Sequence, residues 1–228
     1  MKRINNYIKY LIVQIKIHIK LHLVYPYNPQ YKSIKSIMPN KIKLGKGVKT
    51  DTGVNFSNHL EKIGDHVYIG QNTYIGYCKS IGNFSSISFD VKLGIDSHPF
   101  HFVSTSAYFY STKRGFVENA LYKEENRGLT EVGCDVMIGT QAMILSGVKL
   151  GHGCIVAAGS LVNKNVPPYA IVRGSPAKVV AYRFDEETIA KLLKSEWWNF
   201  TETQYQKYKS IMCEIEKFVE EIEKDHVI

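Results

Sequence analysis

The chain has 228 residues, 44% apolar and 22% charged, enough for one sizeable core and unlike the composition of a disordered polymer. Its net charge of +8 is local, since the stretch 1–50 holds eleven Lys or Arg and no acid, while the remainder sets all 21 acids against the other 18 bases. No nucleic-acid module follows the basic stretch, so nucleic acid is not an expected partner; a membrane surface, anionic cofactor phosphates and plain solvent remain open.

Four widely spaced cysteines, Cys78, Cys134, Cys154 and Cys213, form no C-x-x-C pair. They predict buried reduced thiols in a reducing cytoplasm, with neither a zinc site nor a disulfide framework. Without an apolar run of about 18 residues or a signal-peptide pattern, the expectation is a soluble or membrane-peripheral protein of the cytoplasm.

The basic N-terminal segment, 1–41, has two readings. Ile15, Ile17, Ile19, Leu21 and Leu23 alternate with polar residues as in a strand, yet Ile8, Ile12, Ile15 and Ile19 fit a helical stripe. From residue 42 a period of six takes over. A lead-in at Ile42, Val48, Val54 and Leu60 lacks most glycines, and the phase then slips by three residues to Ile63. Ile63-Gly64, Ile69-Gly70, Ile75-Gly76, Ile81-Gly82, Ile87-Ser88 and Leu93-Gly94 follow without a slip. A second block runs through Val132-Gly133, Ile138-Gly139, Ile144-Leu145, Leu150-Gly151, Val156-Ala157 and Val162-Asn163.

Neither a helix of period 3.6 nor a strand of period 2 gives this spacing. A short strand plus a tight corner does, with the aliphatic residue inward and the next residue in a turn where glycine costs no strain. Three such units close a triangular coil, and stacked coils bury an aliphatic column. The expected fold is mainly β: a left-handed parallel β-helix of hexapeptide repeats over 42–180, with an inserted loop at 95–131 and C-terminal α-helices over 181–228.

The excursion at 95–131 is rich in His, Ser, Tyr and Phe and ends in the polar run Lys123-Glu124-Glu125-Asn126-Arg127-Gly128; an interruption this long in a solenoid is usually functional. Pro167-Pro168 ends the regular pattern, and Arg173-Gly174-Ser175-Pro176-Ala177-Lys178 reads as a turn. Helical spacing begins at Asp185, an N-cap with Thr188 three residues on, and Ile189, Leu192, Leu193 and Trp197 make its apolar face. A second amphipathic helix is predicted across Gln204–Lys224.

The two repeat blocks, Ser97-His98-Pro99 opening the excursion, and Arg183-Phe184-Asp185 through Trp197-Trp198-Asn199-Phe200 together resemble the hexapeptide-repeat acyltransferases. The branch is that of the xenobiotic and polysaccharide O-acetyltransferases, and the likeness spans roughly residues 42–200. It implies an N-terminal helix, a homotrimer, acetyl-CoA as cosubstrate in a groove between neighbouring subunits, and no metal.

The resemblance places the catalytic base at His98, with direct transfer and no acyl-enzyme. A neutral imidazole suits the removal of a proton from an alcohol attacking a thioester. For the coenzyme it points to Gly139 and Thr140, to the small-residue corner Ala157, Ala158 and Ser160, and to the cations Lys164, Arg173 and Lys178 for phosphates. For the acceptor the candidates are Asn83, Ser86, His101, Tyr108 and Met137. Tyr108, Phe109 and Tyr110 either stack on a sugar or plug a core. Met137 stands where relatives commonly have Trp, and it offers no planar face or N–H donor. His59, His66 and His152 read as exposed polar corners.

The leading functional expectation is O-acetylation of a sugar hydroxyl in a bacterial surface polysaccharide, near a lipid-linked glycan at the inner membrane surface. Alternatives are acetylation of an antibiotic or of an amino-sugar nucleotide. A zinc protein of the γ-carbonic anhydrase type, using His59, His66 and His98, and a non-catalytic scaffold are the readings from other classes.

Overall fold

The computed structural model describes residues 2–20, 34–36, 38–39, 41–96, 98–112, 116–122 and 128–228. Ser97, Leu21, Leu23 and the run 123–127 therefore lie outside the described residues. Helix α1, Lys2–Ile19, takes up the helical reading of the N-terminal stripe.

The coils are built from strands of two to four residues. The first is β1 Lys43–Leu44, β2 Lys49–Thr50 and β3 Asn55–Phe56, and the second is β4 Lys62–Ile63, β5 Tyr68–Ile69 and β6 Tyr74–Ile75. The third is β7 Cys78–Ile81, β8 Ser86–Ile87 and β9 Lys92–Ile95, and the fourth β10 Thr130–Val132, β11 Met137–Ile138 and β12 Met143–Leu145. The fifth is β13 Lys149–Leu150, β14 Ile155–Val156 and β15 Leu161–Val162. Each strand pairs in parallel only with strands of the adjacent coils, which gives three faces: β1-β4-β7-β10-β13, β2-β5-β8-β11-β14 and β3-β6-β9-β12-β15. We call these the B, A and C faces. Parallel strands of two residues cannot hold alone, so the fold is stable only as a stack.

The pattern continues one face beyond Pro167-Pro168. Val166 bridges Leu150, and β16, Ala170–Gly174, pairs in parallel with β14. Only then does the chain reverse into the antiparallel strand β17, Ala177–Tyr182.

Two inward columns fill the coil. One is the aliphatic series from Ile63 to Val162; the other lies two residues earlier and includes Val67, Val91, Val136, Ala142, Cys154 and Val166, all buried. This second column explains the lead-in. Val48 and Val54 belong to it, while the first coil's counterparts of Ile69 and Ile75 are Thr50 and Phe56. Lys43 pairs with Lys62 and Lys62 in turn with Ser80, so the first coil is longer than the second by a single position. The apparent slip of three is thus one extra residue at a corner, read across two columns.

Hydroxyls in the second column bracket adjacent coils. Thr73 Oγ1 donates to Ser88 O (2.8 Å) and accepts from Val91 N (3.3 Å), and Ser85 Oγ donates to Gly133 O (2.9 Å) and accepts from Val136 N (3.2 Å). Both of these buried hydroxyls are satisfied in this way at little cost.

The glycine after each aliphatic residue serves a different purpose from the one expected. The backbone turns left-handed three residues after the aliphatic instead, at His66, Asn72, Phe84, Asp90, Asp135 and Gln141, with φ from 55 to 62°. The N–H of each donates to a carbonyl of the preceding coil, as Phe84 does to Asp65 O at 2.8 Å, which offsets the strain. The glycines are there because the coils stack too closely for a Cβ. At Gly82 a Cβ would lie 2.5 Å from the Gly133 carbonyl carbon, and at Gly139 it would lie 2.5 Å from Ala158 N.

The helical tail caps the corner between the B and A faces. Helix α2, Glu186–Ser195, is capped by Asp185, whose carboxylate accepts from Thr188 N at 2.8 Å. It ends before Trp197, which lies in a 3-10 turn with Trp198. The second predicted helix is two, α3 Glu202–Tyr208 and α4 Ile215–Lys224. Tyr208 and Phe218 have ring centroids 5.7 Å apart. In one straight helix those positions would be separated by about 15 Å, so the chain must break between them for both to reach the tail core.

Arg183 ties tail to solenoid, donating to Asp135 Oδ2 (2.7 Å) and Gly153 O (2.8 Å). His152 is no exposed corner. It is half-buried, stacked on Trp198 at 4.3 Å and 4°, with Nδ1 accepting from Cys134 N at 3.0 Å. All four cysteines are free, as expected, but only Cys78 and Cys154 are fully buried, their thiols pushed up to about 12 by desolvation, and Cys213 is exposed.

Two predictions test these roles. Gly82→Ala forces a clash with the next coil's backbone, whereas Gly159→Ala, at φ 68° with nothing near its Cβ, meets only backbone strain. Urea unfolding is expected to show a loss of about 3 kcal/mol for the first and about 1 kcal/mol for the second. Burial holds the His152 imidazole below its ordinary pKa, so the unfolded chain takes up the proton more readily. Stability is therefore complete above about pH 6.5 and declines as pH falls through the lower folded value. Tryptophan fluorescence in urea at stepped pH is expected to show this decline, and His152→Phe to remove it.

Candidate active site

The excursion leaves the solenoid between β9 and β10, at the corner joining the C and B faces. Ser80 pairs with Glu131 across the excursion just as Lys62 pairs with Ser80 in an intact coil, so the loop is extruded and, past a bulge between Thr130 and Glu131, the coil register resumes. The loop has its own small core of Phe102, Tyr110 and Tyr122, whose rings meet edge to face at 5.6 to 6.4 Å. Ser106 caps a 3-10 turn at Ala107–Phe109, which turns Tyr110 inward, 4% exposed, and leaves Tyr108 and Phe109 half exposed.

This core holds His98. Its Nδ1 is 2.8 Å from Thr105 O and 2.8 Å from Tyr110 Oη. A carbonyl can only accept, so the Nδ1 proton points to Thr105 O, with the Tyr110 oxygen as a second acceptor. The lone pair is thereby assigned to Nε2, to which no described residue bonds, and the ring is exposed. A neutral imidazole with an anchored Nδ1–H and an open Nε2 is arranged as a base.

The other predicted residues fall into separate places. Ser86 and Met137 are direct neighbours on the outer surface of the A face, with Met137 43% exposed. Gly139 and Thr140 follow at the corner joining the A and C faces, stacked beneath Ala157 and Ala158; Gly159 N donates to Thr140 O at 2.8 Å. Arg173 and Lys178 oppose each other across the β16–β17 hairpin, both exposed, and Lys164 is exposed on the corner that carries the excursion. Within one chain, then, His98 and the Thr140–Ala158 corner stand at opposite edges of the C face. His101 lies between Phe100 and Phe102 on the excursion surface, and Tyr108 lies against Phe116; the hydrogen-bond and ring partners of His98 are Thr105 and Tyr110 instead.

Two of the predicted side chains are engaged within the chain itself. Asn83 sits on the tail corner, its amide donating to Trp198 O (2.9 Å) and its Oδ1 accepting from Asp65 N (2.9 Å), so both ends are committed to holding the tail. Ser160 is buried and its Oγ accepts from Gly174 N at 3.2 Å, so the side chain faces into the coil instead of a ligand. Sequence reasoning missed Thr105, which acts through its carbonyl and leaves no mark in residue type. It left Tyr110 between stacking and plugging; Tyr110 is buried against His98.

Residues 130–164 match the family model described as bacterial transferase hexapeptide (six repeats). A chloramphenicol acetyltransferase of Klebsiella aerogenes is 39% identical over 137 residues, 58% of this chain and 65% of that protein. A probable macrolide acetyltransferase of Lysinibacillus sphaericus is 38% identical over 153 residues, 64% of this chain and 77% of that protein. The described backbone matches that of AntD, an N-acyltransferase from Bacillus cereus solved with dTDP and coenzyme A, with a TM-score of 0.53 at 22% identity, over 69% of this chain and 82% of that one. The chain belongs to the hexapeptide-repeat acetyltransferases, whose fold is the left-handed β-helix. It spans about two thirds of the chloramphenicol acetyltransferases it matches.

The tautomer can be read directly. The 15N shifts of the neutral His98 ring are expected to show Nδ1 protonated, in Tyr110→Phe as well, because the Thr105 carbonyl remains. An Nε2-protonated ring would contradict the assignment.

Proposed function

We propose that the protein is an acetyl-CoA-dependent O-acetyltransferase acting on a sugar hydroxyl of a bacterial surface polysaccharide, with His98 as general base and direct transfer. The observation that carries this is the anchored Nδ1–H and open Nε2 of His98. Nε2 takes the acceptor's proton as the hydroxyl oxygen attacks the thioester carbon. The C–S bond then breaks, and the imidazolium returns its proton to the leaving thiolate.

The coenzyme is assigned to the Thr140–Ala158 corner, where small side chains admit a chain close to the backbone and backbone N–H groups are at hand for an oxyanion. Arg173 and Lys178 face each other with like charge, which disfavours their own pairing and favours an anion between them, as a phosphate would supply. The half-exposed Tyr108 and Phe109 suit the apolar face of a sugar ring, and Met137 gives the acceptor side a flexible surface instead of a planar one.

The site is assigned to the junction of two copies in a homotrimer. The outer A face carries Lys49, Tyr68, Ser86, Met137 and Ile155, the outer C face Asn55, Tyr74, Lys92, Met143 and Leu161, and the outer B face Lys43, Lys62, Ser80, Glu131 and Lys149. Three apolar or aromatic residues in each of the A and C rows, against none in the B row, favour A packing on C, a heterologous contact that closes in a ring. A second acceptor reading, an antibiotic, is favoured by the names of the chloramphenicol and macrolide relatives.

Thiol release from acetyl-CoA, screened across sugars, glycan fragments, sugar nucleotides, chloramphenicol and macrolides, tests both readings. His98→Ala is expected to lower kcat by about 10²- to 10⁴-fold with the coils intact. Unchanged turnover would remove His98 from the chemistry.

A further inference from the structure

Helix α1 is 18 residues long, about 27 Å, with Lys2, Arg3, Lys9 and Lys16 and no acid. Ile8, Leu11, Ile12, Ile15 and Ile19 recur at helical spacing, which puts them on one face. Each is 43 to 51% exposed, so no described residue covers that face. Lys9 and Lys16 fall on an adjoining stripe of the same helix, and Lys20, just past its end, donates to Met38 O at 3.0 Å. No described helix is long and apolar enough to cross a membrane.

We infer that α1 is a membrane-surface anchor that lies in the interface of an anionic phospholipid bilayer. An apolar face of isoleucine and leucine flanked by long cations matches this environment, with the side chains entering the acyl boundary while the lysines reach back to phosphates. The choice of occupant rests on charge. The stretch 1–50 holds eleven cations and no acid, while the rest of the chain is slightly acidic, so a second copy offers no concentrated counter-charge and an anionic lipid surface does. The apolar face of α1 shares no residue with His98 or the Thr140–Ala158 corner, so it is assigned to location and not to the chemistry.

The test is co-sedimentation of the full chain with vesicles of phosphatidylglycerol and phosphatidylethanolamine, against vesicles of phosphatidylcholine. Binding is expected to the anionic vesicles only and to weaken as salt is raised. Ile12→Glu/Ile15→Glu is expected to abolish it, and each of Lys9→Gln and Lys16→Gln to weaken it about fivefold, the equivalent of roughly 1 kcal/mol per cation. Oligomer size and acetyl-CoA turnover in the absence of vesicles should not change. Failure of the unmodified protein to sediment with anionic vesicles, or undiminished binding by the double variant, would overturn the anchor. Dissociation of the oligomer in the double variant would also overturn it, by showing that the face covers a second copy.

Discussion

Coil-on-coil backbone pairing is the constraint on which everything else in this protein depends. Strands of two residues gain nothing from their own turn of chain; their ladder bonds link each strand to its counterpart one full coil away. Such a stack tolerates no Cβ where neighbouring corners touch, so Gly82 and Gly139 are dictated by contact. The left-handed corners fall three residues after the aliphatic and are held by a bond to the coil before. The inner volume is equally prescribed: two columns, one aliphatic, the other mixing small aliphatics with hydroxyls that bracket adjacent coils.

The same rigidity gives the fold a place for function. Extruding the whole excursion leaves the coils on either side stacked in step, so the loop acquires two fixed roots and can build a small aromatic core of its own. That core does for His98 what the coil cannot, because it supplies a carbonyl acceptor for Nδ1 and a buried Tyr110 beside it. Flat outer faces follow from the same geometry. Outward residues on a β-helix form straight rows, so a few apolar choices give the A and C faces a character that the B face lacks.

Much of this was legible in the residues. The six-residue period is written at twelve positions and fixes coil, column and interruption together, and the N-cap at Asp185 is equally local. What local pattern could not supply were relations between distant residues. Asn83 looked like an acceptor contact because it precedes the excursion, but its amide reaches Trp198, far along the chain in the helical tail. Ser160 belonged to a small-residue corner by composition and to the inner column by geometry. The break between α3 and α4 has no Gly or Pro to announce it, since it follows from the need of Tyr208 and Phe218 to meet. The lead-in seemed to slip because two inward columns share one period.

One chain holds His98 and the Thr140–Ala158 corner at opposite edges of the C face, and we propose that a working site takes His98 from one copy and that corner from another. Co-refolding His98→Ala with Ala158→Trp tests it, since each variant alone is expected to be inactive through a different half of the site. Recovery of acetyl transfer in the mixed oligomer is the predicted result. Activity no higher than that of either variant alone, in oligomers shown to contain both chains, would contradict it.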